Sequence, residues 1–201
     1  MSYLSDEKDR LLDRITDYCD LKMHESAINE CKKLIKLDPN DPYSYLQLGF
    51  QYEQKGELDK AIEWYRHVMK KFPKYSYFYV NLGYIFEINK KRYDIAIVCY
   101  EKASELNPND EWALNNIGAI LQKEGRWKDA ISYYEKACDV SKKNDGVEHY
   151  KILHNLAWAY YHCKIYGEAI DIYYDLTDKY PDNASMYADF GCIYYKIHRY
   201  S

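Results

Sequence analysis

No stretch of this chain approaches the length of apolar sequence needed to cross a membrane, and no basic run is longer than Lys90-Lys91-Arg92. The first absence excludes a membrane-spanning helix. The second, with a formal net charge of −4, argues against nucleic acid as a partner, because a phosphate-tracking surface needs a basic face. There is no glycine-rich phosphate loop, no Gly-x-Ser-x-Gly and no His-Glu-x-x-His. No catalytic residue, metal or cofactor is therefore assigned, and the chain reads as a non-enzyme. The cysteines Cys19, Cys31, Cys99, Cys138, Cys163 and Cys192 are scattered, with no Cys-x-x-Cys among them. A chain of 201 residues has core enough without disulfide staples, so reduced thiols and a cytoplasmic location are expected. The N-terminal Met-Ser-Tyr-Leu-Ser-Asp-Glu-Lys is polar and does not read as a secretory signal. No internal segment has the composition of a linker.

What the chain does have is repetition. Ile15, Gly49, Gly83, Gly118, Ala157 and Gly191 follow one another at steps of 34, 34, 35, 39 and 34 residues. Ala27, Ala61, Ala96, Ala130 and Ala169 form a second ladder, and Pro39, Pro73, Pro108 and Pro181 a third that marks unit ends. Self-similarity at this period means one supersecondary unit stacked on copies of itself. Tyrosine is the compositional outlier, 25 copies against 5 Phe and 4 Trp. Most are expected to pack between helices and send their hydroxyls to water or a carbonyl.

Each unit reads as two helices. Tyr45, Leu48 and Tyr52 fall at i, i+3 and i+7, one stripe of a helix, and Ala61, Tyr65 and Val68 make a second stripe. Gly56 between them suits a helix end that needs positive φ. Gly49 and Ala61 lack bulk where two helix backbones should approach closely. Asp41-Pro42 supplies an N-cap and a first-turn proline, and Asp110-Glu111 a cap and a carboxylate near the helix dipole. A helix pair cannot bury both faces alone. The repeat arithmetic predicts an all-α, right-handed superhelical solenoid of stacked antiparallel helix pairs, with about eleven helices. The units are 8–41 (degenerate), 42–75, 76–110, 111–149, 150–183 and 184–201, the last being one helix of a sixth.

The recurring motif is specific. Tyr45-x-x-Leu48-Gly49-x-x-Tyr52 leads to Ala61-x-x-x-Tyr65 and Pro73; Tyr79-x-x-Leu82-Gly83-x-x-Phe86 leads to Ala96-x-x-x-Tyr100 and Pro108. Leu114-x-x-Ile117-Gly118-x-x-Leu121 leads to Ala130-x-x-x-Tyr134, with Lys142 in place of the proline, and Leu153-x-x-Leu156-Ala157-x-x-Tyr160 leads to Ala169-x-x-x-Tyr173 and Pro181. In the first unit Arg14 and Ile15 stand where Leu-Gly would be. These residues resemble the tetratricopeptide repeat over nearly the whole chain, about residues 5 to 201.

The resemblance implies that the first helix of each unit lines a concave groove that binds a protein or peptide. Groove positions then include Tyr43, Phe50, Tyr77, Tyr84, Trp112, Trp158 and Tyr161, aromatics outside the packing stripe. A polar ladder of Gln47, Asn81, Asn116 and Asn155 stands where family members that hold extended peptides clamp the peptide backbone. His154 lies beside it. The fifth positions, Leu12, Leu46, Val80, Asn115, His154 and Ala188, hold no lysine or arginine, which argues against the carboxylate clamp of chaperone-binding members. His154, Trp158 and His162 fall at i, i+4 and i+8, with His149 and Cys163 nearby. Histidines eight apart lie about 12 Å apart along a helix, too far for one metal, so they read as groove polar groups.

Two irregularities remain. Five extra residues around Lys142-Lys143-Asn144-Asp145-Gly146 imply either a longer second helix or a projecting turn. At the other irregularity, helix 184–198 offers Tyr187, Phe190 and Tyr194 as a stripe that a following helix would cover, so a longer protein or a homodimer through this helix is expected. The function expected is a protein-interaction scaffold that binds a peptide segment or helix. The alternatives are the recognition arm of a larger enzyme or signalling protein, or a receptor for a free signalling peptide.

Overall fold

The computed structural model describes residues 2–143 and 149–199. Eleven α-helices are seen among them: α1 Ser2–Asp20, α2 His24–Leu37, α3 Pro42–Gln54, α4 Leu58–Lys71, α5 Ser76–Tyr84, α6 Tyr93–Leu106, α7 Glu111–Lys123, α8 Trp127–Lys143, α9 His149–His162, α10 Tyr166–Lys179 and α11 Ala184–Arg199. A π-helical turn, Ile85–Asn89, continues α5. The arrangement is all-α, built of paired antiparallel helices, as the repeat predicts. No helix among the described residues is long and apolar enough to cross a membrane.

Helix ends follow the local chemistry. Asp41 accepts a bond from the Tyr43 N–H at 3.1 Å with Pro42 in the first turn, and Asp110 accepts from the Trp112 N–H at 3.1 Å. Both caps are where the sequence put them. The α2, α4, α6 and α10 helices each stop two residues before Pro39, Pro73, Pro108 and Pro181, since the residue before proline is pushed out of the α region. Inside the units, first helices close with a left-handed residue. Gly56 and Gly125 have φ of 82° and 74°, but Lys22, Lys91 and Lys164 occupy the same place with φ of 55°, 51° and 62°. At Gly56 the next N–H, from Glu57, reaches the Tyr52 carbonyl at 2.9 Å, and Gly56 N–H reaches Glu53 at 2.8 Å. This is the Schellman closure, and lysines sustain it at Lys22 and Lys164.

The π-turn explains the one 35-residue step. Gly49 to Ala61 is twelve residues, whereas Gly83 to Ala96 is thirteen. One extra residue inside a helix whose neighbours are already packed is absorbed as an i→i+5 turn rather than by rotating the helix. The closing bond shows it: Arg92 N–H reaches the Phe86 carbonyl, one residue further back than in the other units. The larger insertion is taken up partly by α8, which has 17 residues against 14 in α2, α4, α6 and α10. The expected Asp145-Gly146 turn lies outside the described residues, as do Tyr200 and Ser201.

The chain divides into two compact units, residues 1–99 and 100–201. In the first, Leu11, Ile15, Ile28, Cys31, Leu34 and Leu48 form one core, with Tyr52 and Trp64 packed against it. In the second, Ala157, Tyr173, Leu176, Met186 and Ile193 do so, flanked by Leu153, Trp158 and Phe190. Ala27, Ala61, Ala96, Ala130 and Ala169 are all fully buried. Tyr65, Tyr100, Tyr134 and Tyr173 are fully buried too, so part of the tyrosine excess is packing, whereas Tyr43, Tyr77, Tyr84, Tyr174, Tyr187 and Tyr194 are exposed. The aromatic that packs over Gly49 is Tyr65. A Cβ there would stand 2.3 Å from Cε1 of Tyr65, and one at Gly118 2.6 Å from Cε1 of Tyr134. The small residue makes room for a tyrosine ring rather than for a bare backbone contact. Described cysteines are free thiols, with Cys31, Cys99 and Cys138 buried. Burial pushes their thiols up, to about 12, about 11 and about 12 respectively.

Candidate functional site

Within the first unit, α3 lies against both α4 and α5, so consecutive first helices stand side by side. Tyr43 and Phe50 of α3, and Tyr77 and Tyr84 of α5, are exposed. The rest of those helices is committed to packing: Ser44, Gln51, Phe78 and Ile85 are buried on one side, and Tyr45 and Leu48 on another. The exposed rings therefore form a third face, the one that sequence reasoning assigned to a groove. Tyr75 joins it, with its ring 5.5 Å from that of Tyr77. Gln47 is half-buried beside them.

Two members of the polar ladder, Asn81 and Asn155, bond within the fold. Asn81 Nδ2 donates to the Tyr65 hydroxyl at 3.1 Å, so half of its carboxamide serves the fold. The same scheme recurs in the second unit. The Tyr134 hydroxyl donates to Gln122 Oε1 at 2.9 Å, and the Tyr173 hydroxyl lies 3.0 Å from His154 Nδ1. The buried second-helix tyrosines Tyr65, Tyr134 and Tyr173 thus meet first-helix side chains with their hydroxyls. Glu53 is close to this network and its carboxyl is pushed up by burial. Asn155 Nδ2 donates to Asn115 Oδ1 at 3.2 Å, whereas Asn116 is half-buried.

The second unit carries a cavity of about 530 Å³ between α7, α9 and α11. Its base is Ile152 and Met186, both buried, and one wall is the half-exposed indole of Trp112. Asn115, Asn155 and His154 line it, and Asp189 faces it with its carboxylate 3.9 Å from His154 Nδ1. Glu111 and Lys151 complete the charged lining. Trp112, His154 and Asn155 were predicted for this face; the apolar base was missed. Its signal was the repeat register, since Ile152 and Met186 occupy the place of the buried Ser44, Phe78 and Ala113.

The other two histidines of α9, His149 and His162, are each engaged. His162 stacks on Trp127 with ring centres 3.9 Å apart, and Trp158 meets it edge-on at 5.2 Å. Burial, then Lys196, lowers its pKa. His149 Nδ1 lies 2.6 Å from the Ser141 hydroxyl. Trp158 and Tyr161 are half-buried in this aromatic group, with ring centres 5.5 Å apart, so they contribute less open surface than Trp112. Among the described residues no three His, Cys, Asp or Glu side chains converge as a metal-holding group. On α11, Tyr187 and Tyr194 are exposed. Phe190 instead stacks on Tyr173 at 5.8 Å, so it belongs to its own unit's core more than to an outer stripe.

Models of the tetratricopeptide repeat match residues 30–63 and 109–180, and a TPR repeat model matches residues 87–125. Anaphase-promoting complex subunit 3 of Schizosaccharomyces pombe is 26% identical over 121 residues, covering 60% of this chain and 18% of that protein. This chain therefore spans under a fifth of that relative's length. Among solved structures, a tetratricopeptide repeat protein from Parabacteroides merdae superposes with a TM-score of 0.67 at 18% identity, covering 96% of this chain and 74% of the other. A thermophilic TPR protein in Thermus thermophilus gives 0.61 at 17%, covering 92% and 98%. At such identities the likeness shows the fold. Matched repeats in both units, with the Gly49–Tyr65 and Gly118–Tyr134 packing of two of the motifs, establish that this chain belongs to the tetratricopeptide repeat family.

Proposed function

We propose that this chain is a protein-interaction scaffold that holds an extended peptide segment or a helix of a partner on the face built by its first helices. The fold of this family generally mediates protein–protein interaction. The observation that carries the finer reading is the exposure of Tyr43, Phe50, Tyr77 and Tyr84, 38–47%, on helices whose other aromatics are buried or half-buried. Clustered exposed aromatics on a rigid element are contact surface, because they offer large area at small entropic cost. Half-buried amides between them supply donors and acceptors for a peptide backbone. The relative's name places it in a multi-subunit complex, which fits a scaffold. Selection of peptides from a randomised display library tests the reading. Selected peptides are expected to lose most of their affinity for the Tyr77→Ser/Tyr84→Ser double variant at unchanged melting temperature. Undiminished binding by that variant overturns it.

A second reading concerns α11. Tyr187 and Tyr194 are exposed there, and the neighbouring Tyr174 of α10 is 56% exposed. Such a face suits a further helix of a longer protein, of which this chain would be the recognition arm, or a second copy of the chain.

A further inference from the structure

We infer that the cavity between α7, α9 and α11 receives an arginine side chain of the bound segment, an assignment that rests on reading the first-helix face as a peptide-binding surface. Its lining is graded from apolar to charged. Ile152 and Met186 form a buried base, 2% and 4% exposed, whereas the Asp189 side chain is 39% exposed. A long side chain with an aliphatic stem and a charged head matches that gradient, and the cavity volume of about 530 Å³ admits the stem together with flanking backbone.

The charge of the head follows from Asp189. Glu111 and Lys151 oppose each other in sign, and each has interactions of its own. The basic side chain beside Asp189 is His154, whose Nδ1 is 3.9 Å away and already lies 3.0 Å from the Tyr173 hydroxyl. No donor among the described residues comes within hydrogen-bond distance of the Asp189 carboxylate. An incoming anion would meet two carboxylates and one lysine. A neutral apolar side chain would fill the base and leave Asp189 facing it. A cation pairs with it.

Arginine rather than lysine follows from the walls. A planar guanidinium stacks on the Trp112 indole, which is half exposed and available to it. Its several N–H donors reach Asp189 and the carboxamide oxygen of Asn155 together, because the Asn155 amide nitrogen is already committed to Asn115. An ammonium is a point charge and gains nothing from the indole plane or the second acceptor beyond its Coulomb term.

The test uses the full chain with a blocked Ala-Ala-Arg-Ala-Ala pentapeptide and its citrulline counterpart, which has the same shape without the charge. Calorimetry should give at least about tenfold tighter binding for the arginine peptide, the difference between a charge-assisted and a neutral hydrogen bond. Amide and indole chemical shifts should move at Trp112, Ile152 and Met186. In Asp189→Asn, the two peptides should bind alike at an unchanged melting temperature; in Trp112→Ala, the arginine peptide should weaken. Equal affinities in the unmodified chain, or shifts confined to residues outside the cavity, overturn the assignment. Peptides that bind the α3 and α5 face with no arginine preference would leave the peptide-binding reading standing while removing this one. Failure of every peptide in a randomised pool to bind would remove both.

Discussion

A methyl group added at Gly49 would press into the ring of Tyr65, and one at Gly118 into that of Tyr134. Both rings are fully buried and cannot swing aside. Gly49→Ala and Gly118→Ala should therefore each cost about 1–3 kcal/mol despite better helix propensity. Gly191 has open space around its Cα, so Gly191→Ala should instead gain about 0.5–1 kcal/mol. Urea unfolding of the three variants checks the contrast, and a uniform sign would overturn it. The left-handed lysines give a second prediction. Replacing Lys22, Lys91 or Lys164 by glycine relieves a conformation that side chains resist and should stabilise by about 0.5–1 kcal/mol each, read from the same unfolding curves.

Two N-caps at matching repeat positions titrate in opposite senses. At Asp41 burial raises the pKa, but bonds from Lys8, the Ser44 hydroxyl and the Tyr43 N–H outweigh it, and the net shift is downward. Its contribution to stability is present above the ordinary aspartate value and is lost as pH falls. At Asp110 burial dominates and the net shift is upward; Oδ2 is buried with no hydrogen-bond partner among the described residues. Its contribution is full below the ordinary value and is lost as pH rises through the raised one. Asn still caps a helix. Asp41→Asn should thus flatten the loss of stability on acidification from about pH 7 to 3, and Asp110→Asn should raise stability at neutral relative to acidic pH. Urea midpoints across that range decide it; the reverse pattern would show that other carboxylates dominate.

At the scale of elements, the π-turn Ile85–Asn89 is one residue of insertion made visible. Ile88 within it is exposed, so deleting Ile88 removes little packing and restores twelve residues between Gly83 and Ala96. The deletion should fold with an ordinary α-helical turn and a melting temperature near that of the parent chain. Deleting Ile120 of α7 rotates every later side chain of that helix by about 100° and should abolish cooperative unfolding. Amide exchange and thermal unfolding separate the two. If both deletions unfold the chain, the π-turn carries more structure than an absorbed insertion.

For the molecule as a whole, the proposal for α11 predicts self-association. Tyr187→Glu/Tyr194→Glu should abolish any concentration-dependent growth in sedimentation coefficient at micromolar concentration, and a strictly monomeric parent chain would exclude a homodimer through this helix.

The sequence by itself determined the helix pairs, their ends and their packing stripes. The reason is that periodicity, capping residues and proline act within a turn or two: Asp41, Asp110 and Pro39 do in the structure what their neighbours in the chain dictate. It also exposed the extra residue between Gly83 and Ala96, but not that this residue would become a π-turn, which depends on neighbouring helices holding the flanks in register. The face carrying Tyr43, Phe50, Tyr77 and Tyr84 was legible as what the packing stripes left over. Only the tertiary structure decided that Asn81 spends its amide on Tyr65, that Phe190 turns into its own core, and that Ile152, Met186 and Asp189 meet around one cavity. Those outcomes depend on which third helix arrives beside a side chain, and residues 34 to 39 positions apart carry no local signal of which neighbour they will share.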